Sequence, residues 1–157
     1  MPQLKVLKPI LDFVLGFIFV VGLIKNCCNT SKLECKYYIW EIPKTKKLAG
    51  LIVFSGKYLY GSAGSDDALF IKWRINEFCE LNFPHQISGL VVDFRSLDYQ
   101  WGDDLDVYPQ KLRGLGQPVR IIVTPERYEA FKGVLDEQEL YTHIEVTFAQ
   151  IVEALKS

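Results

Sequence analysis

Among the side chains able to do chemistry, the carboxylates lie closest together: Asp98, Asp103, Asp104 and Asp106 fall in the stretch DYQWGDDLDVY. A magnesium site or an acid–base pair would draw on such a cluster. The same acids also suit the opening of a helix, where carboxylates meet unpaired N–H groups, and that reading is preferred for Asp103 and Asp104. Asp93 is different, because it interrupts the apolar run Leu90-Val91-Val92-Asp93-Phe94. It must lie near a strand end or accept hydrogen bonds, since an unpaired buried carboxylate is costly. His85 and His143 have no Cys, Ser or Asp partner at motif spacing, so surface or packing roles are expected for both. Cys27, Cys28, Cys35 and Cys79 contain no C-x-x-C, and a vicinal pair is poorly placed on one tetrahedral zinc. They read as free thiols in a reducing compartment, with Cys79 in the core, and Cys27 and Cys28 as acylation points if they stand at a membrane boundary. Gly61-Ser62-Ala63-Gly64-Ser65-Asp66 lacks the lysine of a phosphate-binding loop. No metal and no cofactor is expected from these patterns.

The elements that must position these residues belong to a chain of 157 residues, 49% hydrophobic and 24% charged, which is about one domain. Disordered polyelectrolytes and collagen-like chains are excluded by that composition. A net charge of -1 argues against nucleic-acid binding, which needs surplus Lys and Arg. The charge is uneven: residues 1–50 carry eight lysines against three acids, a balance of +5, and residues 51–157 carry ten basic and sixteen acidic residues, a balance of -6. A basic, apolar segment (1–36) thus precedes a mildly acidic body (37–157). Ile10–Ile24 is apolar apart from Asp12, shorter than the roughly 20 residues of a membrane-spanning helix. Membrane contact through residues 4–28, a cleaved signal and burial in the fold are the three alternatives for this segment.

Within the body, Tyr37–Ile42, Leu51–Phe54, Leu90–Phe94, Val119–Val123 and His143–Val146 read as strands from their β-branched and aromatic residues, with a bend at Gly56 before Lys57–Tyr60. Ser65 is placed to cap a helix over Asp67–Leu81 that buries Ala68, Ile71, Ile75 and Phe78. Leu105, Tyr108, Leu112 and Leu115 mark one face of a second helix. Thr124-Pro125 opens a third, with Tyr128, Phe131 and Val134 or Leu135 inward. Thr147 with Gln150 fits a capping box for the last, Phe148–Leu155. The predicted order is β-β-α-β-α-β-α-β-α, an α/β sandwich of a mixed, largely parallel sheet with helices.

That order resembles the STAS domain, the fold of bacterial anti-sigma-factor antagonists and of the cytoplasmic tail of sulfate-transporter-type carriers. LIVFSGKYLYGSAGSDD, LVVDFRSLDYQWGDDL and THIEVTFAQIVEALKS carry the likeness, over about residues 37–157. The resemblance implies a non-catalytic regulatory module of the cytoplasm or of the cytoplasmic face of a membrane. The family places a phosphorylatable Ser or Thr after the aspartate that starts its second helix. Here Trp101 and Gly102 stand at those two positions, and glycine has no hydroxyl to modify. WGDDL is also similar to the oxyanion-loop segment of crotonase-type acyl-CoA enzymes. The second glycine-rich donor loop of that fold has no counterpart in VTPERYEAF, which leaves an oxyanion hole incomplete.

The leading expectation is therefore a protein-interaction module, not an enzyme. Tyr99, Trp101 and Tyr108 would give apolar contact, and Asp103, Asp104 and Asp106 would select a basic partner. The alternative is a small-ligand site for an anion or nucleotide, built from Ser62, Ser65 and the helix end at Gly102.

Overall fold

The computed structural model describes residues 18–20, 31–81, 87–102, 105–109, 112 and 114–156. Inward residues of the first body strand are aromatic or apolar and its outward residues are charged, and β2 (Glu34–Glu41) forms there. It pairs antiparallel on one side with β1 (Ile18–Val20) and on the other with β3 (Leu48–Lys57). The strand predicted at 51–54 is longer, and the expected bend at Gly56 does not end it. It continues through Gly56, whose φ of 115° suits only glycine, and ends before Tyr58.

A three-ten turn, Gly61–Gly64, leads into α1 (Ser65–Leu81). Ser65 already has helical backbone angles (φ -60°, ψ -37°), so it is the first residue of the helix and not its cap. The group that fixes this corner is Asp67. Its carboxylate is buried and accepts from the backbone N–H of Leu59 (2.8 Å) and from the hydroxyl of Ser31. Ala68, Ile71, Ile75 and Phe78 face the sheet as their spacing predicts. The approach is close: a Cβ on Gly50 of β3 would stand 2.4 Å from Cε1 of Phe78.

Strand β4 (Ile87–Asp98) is the centre of the sheet, parallel to β3 and to β5 (Val119–Ile122). After β5 come the turn Pro125–Arg127, with Pro125 at its start, and α2 (Tyr128–Lys132). Two-residue strand β6 (Leu140–Tyr141) closes the sheet, parallel to β5, and α3 (Ile144–Lys156) ends the chain's helices. The sheet order is β1-β2-β3-β4-β5-β6, mixed and mostly parallel.

Two predicted elements differ. Leu105–Pro109 are not helical; Leu105, Val107 and Pro109 are buried while Asp106 and Tyr108 are half-buried. Pro109 explains this, because a residue before proline is driven out of the helical region. Helical backbone is found only after it, at Leu112 and Gly114. The second difference is at His143–Val146, which was expected as a strand. Ile144, Phe148, Ile151 and Leu155 are all buried and lie on one helical stripe, so the helix starts a turn earlier. Thr147 is inside that helix, where its hydroxyl donates to the carbonyl of His143 at 2.8 Å instead of capping Phe148.

The two faces of the sheet carry separate cores. One holds Ile52, Phe54, Val92 and Phe94 beneath α1 and α2, with Phe131 at its centre. The other holds Trp40, Leu51, Val91 and Ile122 beneath α3, which supplies Phe148 and Ile151. Because β3 to β6 advance in one direction, right-handed connections put α1 and α2 on the same face. The opposite face is covered by α3. No helix among the described residues is long and apolar enough to cross a membrane. Ile18–Val20 pair with Tyr38–Trp40, and the rest of the Ile10–Ile24 stretch, with Cys27 and Cys28, lies outside the described residues.

Candidate functional site

Strands β3, β4, β5 and β6 point their carboxyl ends to one rim, the side of an open α/β sheet where loops gather. At the β3–β4 part of this rim, Tyr60 and Trp101 stack, with ring centroids 6.1 Å apart and planes 13° from parallel. Gly61, at φ +55°, lies under the indole, and a Cβ there would come within 2.9 Å of its Cη2. Trp101 is nevertheless 54% exposed. The Lys57 ammonium sits 5.6 Å from the Tyr60 ring centroid, in cation–π range. Asp98, at the end of β4, pairs with Arg127 at 3.0 Å, tying this rim to the turn before α2.

Beneath the exposed pair is a buried aromatic stack. Tyr99 is 1% exposed, its ring lies 4.4 Å from that of Phe131 and 5.0 Å from that of Tyr58, and its hydroxyl donates to the carbonyl of Gly102. The expectation that Tyr99 contacts a partner is thus corrected: it is a core residue that supports the Trp101 loop from below. Tyr108 is half-buried, with its hydroxyl inside and its ring packed on the core. Gly102 is buried against Tyr58, where a Cβ would stand 2.9 Å from Cε1. Among the described residues no helix begins at Gly102, since Leu105–Pro109 are not helical. Asp106 pairs with Lys72 of α1 at 3.2 Å, and is engaged within the fold. Asp103 and Asp104 lie outside the described residues, as does His85. Ser62 and Ser65 are exposed on the turn and helix start beside Trp101's neighbour Gly61.

Asp93, the acid out of place in an apolar strand, is 2% exposed. Its two oxygens take Nε and one terminal nitrogen of Arg95 (2.7–3.2 Å), and Oδ1 also accepts the Arg95 backbone N–H at 3.0 Å. The two residues stand at i and i+2 of β4, so both side chains lie on one face of the strand. The hydrogen bonds that Arg95 donates to Asp93 raise its pKa above the ordinary value against the opposing effect of burial. Burial raises the pKa of neighbouring Tyr38, and the Asp93 charge adds to it.

A second feature of the rim was not legible in the motifs. Between the ends of β5 and β6 lies a crevice of about 520 Å³ lined by Tyr128, Glu129, Tyr141, Thr142, His143 and Val146, among others. The signal that would have found it is the apolar stripe Ile144, Phe148, Ile151, Leu155, which moves the helix start next to His143. Among the described residues no group of three or more His, Cys, Asp or Glu is placed to hold a metal ion. Comparison of the chain with protein-family models, curated proteins and solved structures found no match to any of them.

Proposed function

We propose that this chain is a non-catalytic recognition module, regulatory in the sense that the STAS resemblance implies, which docks a protein partner on the rim around Trp101. One observation supports this reading above others: a large aromatic ring more than half exposed yet fixed in place by Tyr60, Gly61 and the Tyr99–Gly102 support. A rigid exposed Trp loses little conformational entropy on docking, which is why such residues dominate interface energetics. Asp103 and Asp104 follow it directly in the chain and favour basic side chains on the partner.

The test places a photo-crosslinking amino acid at Ser62, beside the pair, and at Glu153 on α3 as a control, identifies the captured protein and titrates it in purified form. The Ser62 position is expected to capture one partner that the Glu153 position does not. Trp101→Ala should then weaken binding by about 30-fold or more, the loss typical of a hot-spot aromatic. Equal capture at both positions, or an unchanged affinity for Trp101→Ala, sinks the proposal.

A further inference from the structure

The chain leaves β5 and β6, two adjacent parallel strands, toward opposite faces of the sheet. After β5 it turns into α2, whose Phe131 is buried in the core that α1 shares. After β6 it turns into α3, whose Phe148 and Ile151 are buried in the other core. The N–H of Val123 donates to the carbonyl of Tyr141 at 2.9 Å, holding the two strand ends together below the point of divergence. Divergence of this kind opens a crevice outside the carboxyl ends of the strands, and ligands of open α/β sheets bind at such points. The 520 Å³ cavity found there lies within the range of small-molecule sites.

Its lining selects for charge. Tyr128 and Tyr141 bring two electron-rich rings, Leu140 and Val146 bring apolar surface, and Thr142 brings a hydroxyl. Glu129 is the carboxylate of the lining, and Glu126 and Glu145 are exposed on the segments that flank it. Of the cations closest in sequence, Lys132 pairs with Glu137 at 2.9 Å and feels the Glu129 charge more weakly, and Arg127 pairs with Asp98 at 3.0 Å. An anion would meet repulsion from Glu129, and a neutral ligand would gain at most a hydrogen bond to its carboxylate. A cation gains from both the rings and the carboxylate.

We infer that the crevice between β5 and β6 binds a small organic ammonium, its charge against the Tyr128 and Tyr141 rings and Glu129, its carbon skeleton against Leu140 and Val146. The site is separate from the Trp101 surface, and the inference does not rest on the function proposed for that surface.

The test follows backbone amide signals of the full chain while benzylammonium, its neutral isostere benzyl alcohol, or inorganic phosphate is added. Benzylammonium should shift Tyr141, Thr142 and His143 saturably, and benzyl alcohol should bind on the order of tenfold more weakly. Glu129→Gln, an exposed change that leaves the core untouched, should weaken benzylammonium several-fold and benzyl alcohol by much less. Glu153→Gln on the far part of α3 should alter neither. Equal affinity for the alcohol, preference for phosphate, indifference to Glu129→Gln, or shifts no larger at the crevice than elsewhere would each overturn the assignment.

Discussion

Asp93 and Arg95 form a pair in which one member is buried and the other is about one-third exposed. Arg95→Met would strand the Asp93 carboxylate in the sheet and should cost about 3 kcal/mol, at the low end for a buried pair because Arg95 reaches solvent. The double change Asp93→Leu with Arg95→Met removes the charge as well and should recover most of that loss. Urea unfolding of both variants decides it; if the single change is no worse than the double, the pair does not hold the carboxylate as described. The sequence showed that Asp93 needed a partner, since no apolar strand tolerates a bare carboxylate. It did not single out Arg95: that residue, two positions on, shares a strand face with Asp93, but side chains of other strands, such as Tyr38, also lie near the carboxylate. The same limit applied to Tyr99 and Trp101. Both are aromatic residues in one loop, and nothing local told that the first would stack on Phe131 and the second on Tyr60.

At the scale of an element, β2 carries two titratable groups on its inward face. Burial raises the pKa of the Cys35 thiol above its ordinary 9.0 and raises that of the Tyr37 phenol well above its ordinary 10.0. Tyr37 stacks on Phe78 of α1 at 4.8 Å, so both groups sit where α1 meets the sheet. Each must stay protonated in the folded chain while the unfolded chain ionises. Their contribution to stability is therefore fully present below about pH 9 and is lost as pH rises above 9 and then 10. Denaturation midpoints measured from pH 8 to 11 should fall, and the fall should be shallower in Tyr37→Phe, which cannot ionise. An equal slope in that variant would contradict the placement of Tyr37. Helices α1 and α2 were legible because their apolar residues repeat at helical spacing behind clear turn signals. Leu105–Pro109 misled because leucines and tyrosine at helical intervals surround a proline, and the proline's effect on its neighbour wins. His143–Val146 misled because four residues, His-Ile-Glu-Val, satisfy a two-residue period by chance when the helical stripe beyond them is not counted in.

At the scale of the whole molecule, β3 and β4 are each paired on both sides and covered by helices on both faces, whereas β1 and β6 are short edges. Amide exchange should accordingly be slowest in Ile52, Val91 and Val92 and faster by orders of magnitude in Leu140 and Tyr141. Comparable protection at β6 and β4 would show that the sheet edge is covered in a way the fold described here lacks. What the sequence determined by itself was the α/β class, the parallel character of the sheet and the inward faces of α1 and α2, because periodicity and turn chemistry act within about ten residues. Tertiary structure alone decided which aromatic rings on the rim stay exposed, which acids are already paired within the fold, and where adjacent strands send their connections apart. Those outcomes depend on contacts between residues far apart in the chain, Ser31 with Asp67 and Tyr60 with Trp101 among them, for which the chain carries no local signal.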